Sequence, residues 1–338
     1  MPPSKLRWGI LSTANINKAL INPIRQSERS ELVAIASRDL EKATRYAQEQ
    51  GIAKAYGRYE DLLADPEIDV IYNPLPNTLH AEWTIKAADA GKHVLCEKPL
   101  VTTLAEFEAV AAAAQRNGVT VCEAFMYLHH PQTIQVQAMI SAGELGAIQQ
   151  INSWFHFYLA PEKSSNIRLN ASLDGGSLWD VGVYPNSLAL MMAAAAGAGE
   201  LPAAVWASKM VGETGVDVAM RAQLHFANGL VAQISSGLRT PFREAVHIIG
   251  DKGAIQILEP WKPGLTGEKS RCLITKVQGD ETTLVTPAID PYLCEVMAME
   301  QCILDGAEPV VSLRQSRYFL QSALAIHESA ASRQVVRL

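Results

Sequence analysis

Apolar positions in the first 125 residues fall into short continuous runs, separated by stretches where they recur every three or four residues. Leu6 to Leu11, Leu32 to Ala36, Val70 to Asn73, Val94 to Cys96 and Val119 to Cys122 read as buried strands. A helix from about Asn15 and the stretches Leu40 to Gln50, Thr78 to Ala90 and Leu104 to Asn117 read as the helices between them. Such alternation predicts a parallel, doubly wound sheet. The pattern changes after Pro131. One helix, Gln132 to Ala142, leads through Gly143 and Gly146 into a long strand, Ile148 to Tyr158. From Ala203 onward strand follows strand: Ala204 to Lys209, Val218 to Phe226, Leu230 to Ser236, Glu244 to Gly250 and Ala254 to Leu258. Asn228-Gly229 and Lys252-Gly253 are placed as hairpin turns. Helices over Tyr292 to Leu304 and Leu313 to Ala330 close the chain. The expected fold is α/β: an N-terminal domain with a doubly wound parallel sheet over 1–125 and an α+β domain with an open, mainly antiparallel sheet over 126–338, the boundary falling near Ala124 to Pro131.

The second sheet bears on assembly. Only the two late helices and the helix near Asp180 are available to cover it. Val218, Met220, Ala222 and Leu224 alternate with Ala219, Arg221, Gln223 and His225, so one face should pack and the other be more polar. A broad open sheet predicts a homodimer or higher homo-oligomer joined through this domain.

Composition narrows the class. Of 338 residues, 48% are hydrophobic and 19% charged, which fits a globular protein and excludes a disordered one. The net charge of -6, with no basic block, argues against nucleic acid and anionic membrane as partners. The uncharged stretch Val181 to Gly199 carries Pro185, Asn186 and several glycines and reads as a buried helix, not a membrane span. Five scattered cysteines without a CxxC pair suit free thiols in a reducing compartment, and the start has no apolar signal core, so a cytoplasmic location is expected. His129 and His130 are adjacent and cannot face the same way, so no metal site is expected.

Candidate chemistry sits at strand ends. The first strand runs out through Gly9-Ile10-Leu11-Ser12-Thr13-Ala14-Asn15, where Gly9 and Ala14 fit the outer positions of a dinucleotide turn and Ser12 and Thr13 replace its middle glycine. The second strand ends in Ser37-Arg38-Asp39. A hydroxyl and a guanidinium there suit a ribose 2′-phosphate, which favours NADP over NAD, with Asp39 as a candidate helix cap. In Asn73-Pro74-Leu75-Pro76-Asn77-Thr78-Leu79-His80 the prolines fix a loop and Asn77 can cap the next helix. His80 is either a packed histidine or a contact near the nicotinamide ribose. The buried run His93 to Cys96 ends in Glu97-Lys98-Pro99, an unusual place for charge, at the sheet edge where open α/β folds hold ligands. Farther on, Asp174-Gly175-Gly176-Ser177 leads to Asp180 and Tyr184. Four residues apart on a helix, these would share a face and make a proton-handling pair, the phenol becoming a usable base beside an ammonium such as Lys98.

Taken together, the Gly9 turn, Asn77-Thr78-Leu79-His80, Glu97-Lys98-Pro99, Glu123-Ala124-Phe125-Met126 and the run from Gly175 through Asp180 to Tyr184 resemble the Gfo/Idh/MocA oxidoreductase family. Tyr184, Ser37-Arg38 and Asn166-Ile167-Arg168-Leu169 ahead of the glycines resemble its branch of NADP-dependent D-xylose 1-dehydrogenases and dimeric dihydrodiol dehydrogenases. The resemblance implies an N-terminal Rossmann domain and hydride transfer between a nicotinamide and a cyclic sugar or diol, an aldose giving a lactone. It implies cofactor contacts from Gly9, Ser12, Thr13, Ala14, Asn15, Ser37, Arg38, Leu75, Asn77, His80, Glu97 and Lys98. Lys98, Tyr184 and Asp180 are then the catalytic candidates, with Arg168, Trp179 and Phe155 beside them against substrate. Ser12 and Leu128, the latter where the branch often carries Arg, depart from the pattern. Two rival readings remain on the same fold: an enzyme with permanently bound cofactor exchanging hydride between two sugars, and a non-catalytic NADP-binding sensor.

Overall fold

A computed structural model describes residues 5–163 and 166–338. The chain divides into two compact units, one formed by residues up to 126 with 292–316, the other by 127–291 with 317–338.

In the first unit the elements run β1 (Leu6–Leu11), α1 (Asn17–Gln26), β2 (Ser30–Ala36), α2 (Leu40–Gln50), β3 (Lys54–Tyr56), α3 (Tyr59–Leu63), β4 (Val70–Asn73), α4 (Asn77–Asp89), β5 (His93–Glu97), α5 (Leu104–Asn117) and β6 (Val121–Ala124). All six strands are parallel, in the order β3-β2-β1-β4-β5-β6. The doubly wound sheet expected from the alternation is thus present, its order reversing between β1 and β4, where such sheets hold ligands beyond their carboxyl ends. Three-residue β3 and five-residue α3 are too short to carry a readable period. β6 starts two residues later than the apolar run suggests. Gly118, at φ 62, ends α5, the Val119 N–H still donates to the Ala114 carbonyl, and Thr120 N–H donates to His93 Nδ1 at 2.9 Å.

The helix Pro291–Asp305, from Tyr292 onward, belongs with the first unit although its sequence lies between segments of the second. Its buried Glu300 accepts from the Ser27 and Ser30 hydroxyls, both at 2.5 Å, and Asp305 takes a two-pronged bond from Arg29 at 2.7 and 2.8 Å. Period and composition do not reveal such long-range partners.

The second unit contains α6 (Pro131–Ser141), β7 (Ile148–Tyr158), α7 (Val183–Ala195), β8 (Ala204–Val211), β9 (Asp217–His225), β10 (Val231–Gly237), β11 (Arg239–Gly250), β12 (Gly253–Ile257), β13 (Ser270–Lys276) and β14 (Glu281–Thr286). After α8, the Pro291–Asp305 helix, come α9 (Leu313–Ser332) and β15 (Val336–Arg337). Nine strands form one sheet in the order β14-β13-β12-β11-β7-β10-β9-β8-β15. Every pairing is antiparallel except β7 with β10. β13, β14 and the two-residue β15 extend the sheet beyond the six expected strands. β13 carries a plain period of two, with Ser270, Cys272 and Ile274 buried and Arg271, Leu273 and Thr275 exposed.

One face of this sheet is packed. α7 lies against β7 and β10, and α9 receives the Ala207 N–H on Ser329 Oγ at 2.9 Å. Buried Asn186 ties α7 to α9, donating to the Phe319 carbonyl at 3.0 Å and accepting from Ser322 at 2.6 Å, which satisfies a polar group inside a nearly all-apolar helix. Across the other face the register aligns Leu273, Gln256, His247, Asn152, Gln233, Gln223 and Trp206 in one row. Val218, Met220, Ala222 and Leu224 are buried while Arg221 and His225 are exposed, the alternation read from the sequence; only Ala219 is buried on the side expected to be polar. No described helix is long and apolar enough to cross a membrane.

Candidate active site

Apart from Gly9, inside β1, and Glu97, the last residue of β5, the candidates of the first unit follow parallel strands at the carboxyl edge of its sheet. After β1 the turn passes through Ser12 at φ 70, the left-handed region usually given to glycine. The serine therefore adopts the conformation a middle glycine would supply. Its carbonyl accepts from Asn17 Nδ2 at 2.9 Å, and α1 opens at Ile16 with no side-chain cap. A left-handed turn leading into a helix start without a side-chain cap fits the phosphates of a dinucleotide. Gly9 has a different reason to be glycine. A Cβ there would meet Leu62 Cδ2 at 3.0 Å and Ile68 Cγ2 at 3.2 Å, so packing inside the sheet requires it.

After β2, Ser37 is buried, Arg38 is exposed, and Asp39 caps α2 by accepting from Lys42 N–H at 3.2 Å. Capping occupies the one carboxylate at this strand end. After β4 the loop is fixed by Asn73, whose side chain donates to the His80 carbonyl at 3.2 Å and to Thr84 Oγ1 at 3.1 Å and accepts from Leu75 N–H at 3.3 Å. Asn77 is the first residue of α4, and Pro76 takes the cap position ahead of it. His80 is 1% exposed and both ring nitrogens face protein carbonyls. Burial pushes its pKa down. Of its two readings, the ring's polar atoms match the packed histidine.

After β5, Glu97 accepts from the Tyr72 hydroxyl at 2.7 Å, and burial beside that carboxylate raises the Tyr72 phenol well above its usual range. Lys98 follows, half-buried. Beyond it, Leu100 N–H donates at 2.9 Å to Glu123, a buried carboxyl whose pKa burial raises to about 7.

In the second unit the two glycines explain how Arg168 reaches its partner. A Cβ on Gly175 would lie 2.7 Å from the Arg168 carbonyl and 2.8 Å from that of Ile167, and Gly176, at φ 124, would drive one into Asp217 Oδ1. Their absence lets the Ile167–Leu169 turn close on this strip, with Gly176 N–H donating to the Arg168 carbonyl at 2.9 Å. Arg168 Nε then donates to Asp180 Oδ2 at 2.8 Å. Asp180 is thus held by a guanidinium.

The helix carrying these residues opens with a π-turn, Leu178–Gly182, before becoming α7. Its start is capped from a distance: buried Asp217 accepts from Ser177 Oγ at 2.6 Å and Leu178 N–H at 2.9 Å. The wider turn alters the simple four-residue relation between Asp180 and Tyr184. The Tyr184 ring is packed among Phe155 at 5.5 Å, Tyr127 at 5.7 Å and Trp261 at 5.8 Å between centroids. Tyr127 also anchors the main chain there, its hydroxyl lying 3.2 Å from the Tyr184 carbonyl and 2.8 Å from Ser187 Oγ. Trp179, by contrast, is buried with its ring 5.1 Å from that of His327 on α9. His129 and His130 are buried, and burial lowers both to about 4. Leu128 is buried as well. Tyr127, Trp261, Asp217 and Glu123 went unnoticed as site residues in the sequence. Only Glu123 stood in a motif; the others are distant in the chain and carry no local signal.

Comparison with known proteins agrees with this geometry. Residues 6–125 match the oxidoreductase family with an NAD-binding Rossmann fold, and residues 133–256 match the GFO/IDH/MocA C-terminal domain. A D-xylose 1-dehydrogenase (NADP(+)) from Haloferax volcanii is 36% identical over 98% of this chain and 100% of its own length. Among solved structures, the 3-ketoreductase KijD10 from Actinomadura kijaniata, in complex with NADP and TDP-benzene, superposes with a TM-score of 0.86 at 30% identity, covering 96% of this chain and 98% of its own. An aldose-aldose oxidoreductase from Caulobacter crescentus, complexed with glycerol, gives 0.88 at 26% identity, covering 99% and 100%.

Proposed function

The chain belongs to the Gfo/Idh/MocA oxidoreductase family, and from that premise we propose that this NAD(P)-dependent enzyme is an NADP-dependent dehydrogenase of a cyclic sugar or related diol, oxidising an aldose such as D-xylose or D-glucose at C1 to the lactone. The carrying observation is Tyr184, a phenol fixed by three rings, in a chain that also holds the Arg168–Asp180 pair and bears Lys98 at a strand exit.

For the cofactor, the Ser12 turn fits the pyrophosphate and Ser37-Arg38 suit the 2′-phosphate, Asp39 being engaged as a cap. When bound, the nicotinamide supplies the hydride-accepting chemistry. Tyr184 takes the substrate hydroxyl proton. Lys98 supplies an ammonium that can donate to a substrate oxygen. Asp180 holds the Arg168 guanidinium, whose remaining donors orient the sugar hydroxyls.

The test is turnover. Purified protein with NADP⁺ and a panel of aldoses and diols should produce the absorbance of reduced nicotinamide; no reduction with any of them overturns the proposal. A second reading, hydride exchange between two sugars on a retained cofactor, is favoured by the likeness to the aldose-aldose oxidoreductase. Nicotinamide absorbance in the purified protein, with turnover in the absence of added NADP⁺, would select it. The enzyme we envisage works in the cytoplasm, as five cysteines outside any disulfide suit, and as a homodimer through the open sheet face.

A further inference from the structure

Two buried titratable side chains of the first unit meet at one peptide group. From α4, His80 places Nδ1 2.7 Å from the Pro99 carbonyl oxygen and Nε2 2.7 Å from the Leu75 carbonyl oxygen. From β6, Glu123 Oε1 accepts from Leu100 N–H at 2.9 Å. The Pro99 carbonyl and the Leu100 N–H are the two ends of the same peptide bond. That peptide, one residue beyond Lys98, is held at its negative end by an imidazole and at its positive end by a carboxyl group. His80 and Glu123 are 1% and 4% exposed, so water does not compete for either end.

Carbonyl oxygens only accept hydrogen bonds. The two contacts of His80 are both hydrogen bonds only when both ring nitrogens carry protons. Burial and the Lys98 charge oppose that state; the two carbonyls and Glu106 support it. At the other end Lys98 favours the Glu123 carboxylate, Glu97 and burial oppose it, and the Ser316 hydroxyl lies beside it. Hydrogen bonds that meet on one amide polarise each other, so an anion at the N–H strengthens the carbonyl as an acceptor for the ring.

We propose that His80 and Glu123 are positioning residues for Lys98, gripping the Pro99–Leu100 peptide from opposite ends and so fixing where the ammonium can point. The inference rests on Lys98 being the working lysine of the proposed function. Neither residue touches substrate; each acts through the backbone. The grip also couples the two groups electrically, so that ionising one alters the proton affinity of the other.

Three variants and two readouts test this. Glu123→Gln keeps an oxygen for Leu100 N–H and removes the charge; Glu123→Leu removes both; Lys98→Met is the reference. Wild-type kcat should fall as pH drops through about 7, where Glu123 takes up its proton. Glu123→Gln should lose that inflection and keep KM and NADP affinity. Glu123→Leu should lower kcat at least about ten-fold with NADP affinity retained, since a shift of a fraction of an ångström at a working group suffices for that. Independently of activity, the ring 15N signals of His80 should titrate at lower pH in Glu123→Gln than in wild type. An unchanged His80 titration, or an unchanged kcat–pH profile in Glu123→Gln while Lys98→Met is inactive, overturns the grip. Normal turnover in Lys98→Met instead overturns the functional reading, and the 15N titration then still decides whether the two residues are coupled.

Discussion

Around Lys98 the first unit works with hydrogen bonds to main chain: His80 on the Pro99 carbonyl, Glu123 on the Leu100 N–H, Asn73 on the neighbouring loop, and Tyr72 on Glu97. Around Tyr184 the second unit works with ring faces and edges, from Tyr127, Phe155 and Trp261. The difference follows from what each side chain must keep. An ammonium in an apolar box would lose its solvation at great cost, so its position is set through the chain that bears it. A phenol has an apolar body that rings can hold directly. The polar arrangement depends on protonation, and the aromatic one depends on volume.

The largest effect should come from the hydroxyl alone. Tyr184→Phe keeps the ring and its packing, so the fold and NADP binding should survive while kcat falls by about 10²–10⁴, the usual scale for losing a general acid–base group. Lys98→Met should also lower kcat, because the substrate then lacks a cationic hydrogen-bond donor. Near-normal turnover in Tyr184→Phe would leave the aromatic box as packing only.

Next comes the box itself. Trp261 is fully buried and touches Tyr127, Phe155 and Tyr184, and Trp261→Ala should cost about 3–5 kcal/mol of stability, measured by urea unfolding. A loss within that of an exposed substitution would mean that the rings do not hold the site.

Arg38→Ala sharpens the polar side. If the guanidinium binds the 2′-phosphate, NADP binding should weaken by about 1.5–3 kcal/mol and NAD binding by much less. An unchanged preference between the two would remove Arg38 from the cofactor site.

The smallest effect on the folded chain is expected on the open sheet face. Trp206 is 44% exposed there, and Trp206→Glu should change stability by no more than about 0.5 kcal/mol. It should nevertheless convert a dimer to a monomer in light scattering at micromolar concentration. A wild-type mass near the 36.7 kDa of one chain would mean that this face is solvated.

The parallel sheet was legible because its strands are buried on both faces and read as continuous apolar runs, bounded by helices with plain periods. The cap at Asp39 and the capping box of Thr103 with Glu106 on α5 are likewise local devices. Lys98 stood out because charge at the end of a buried strand needs a reason. By contrast, Asn77 looked like a cap by its type, yet Pro76 holds that position. The Gly175-Gly176 pair was visible as a motif, but its reason, the approach of the Arg168 backbone and the Asp217 carboxylate, was not.

The sequence by itself determined five of the six strands in the first unit, where its chemistry-bearing residues fall along them, and the family to which the chain belongs, since each depends on neighbours a few residues apart. Only the tertiary structure decided that α8 returns to the first unit, that Asp217 caps the π-turn forty residues before it, that Trp261 closes around Tyr184, and that His80 and Glu123 share one peptide. Those contacts join residues from 19 to 273 positions apart, and no periodicity or propensity carries information across such distances. They form because burial leaves each polar group and each ring few partners, and the fold determines which of them is within reach.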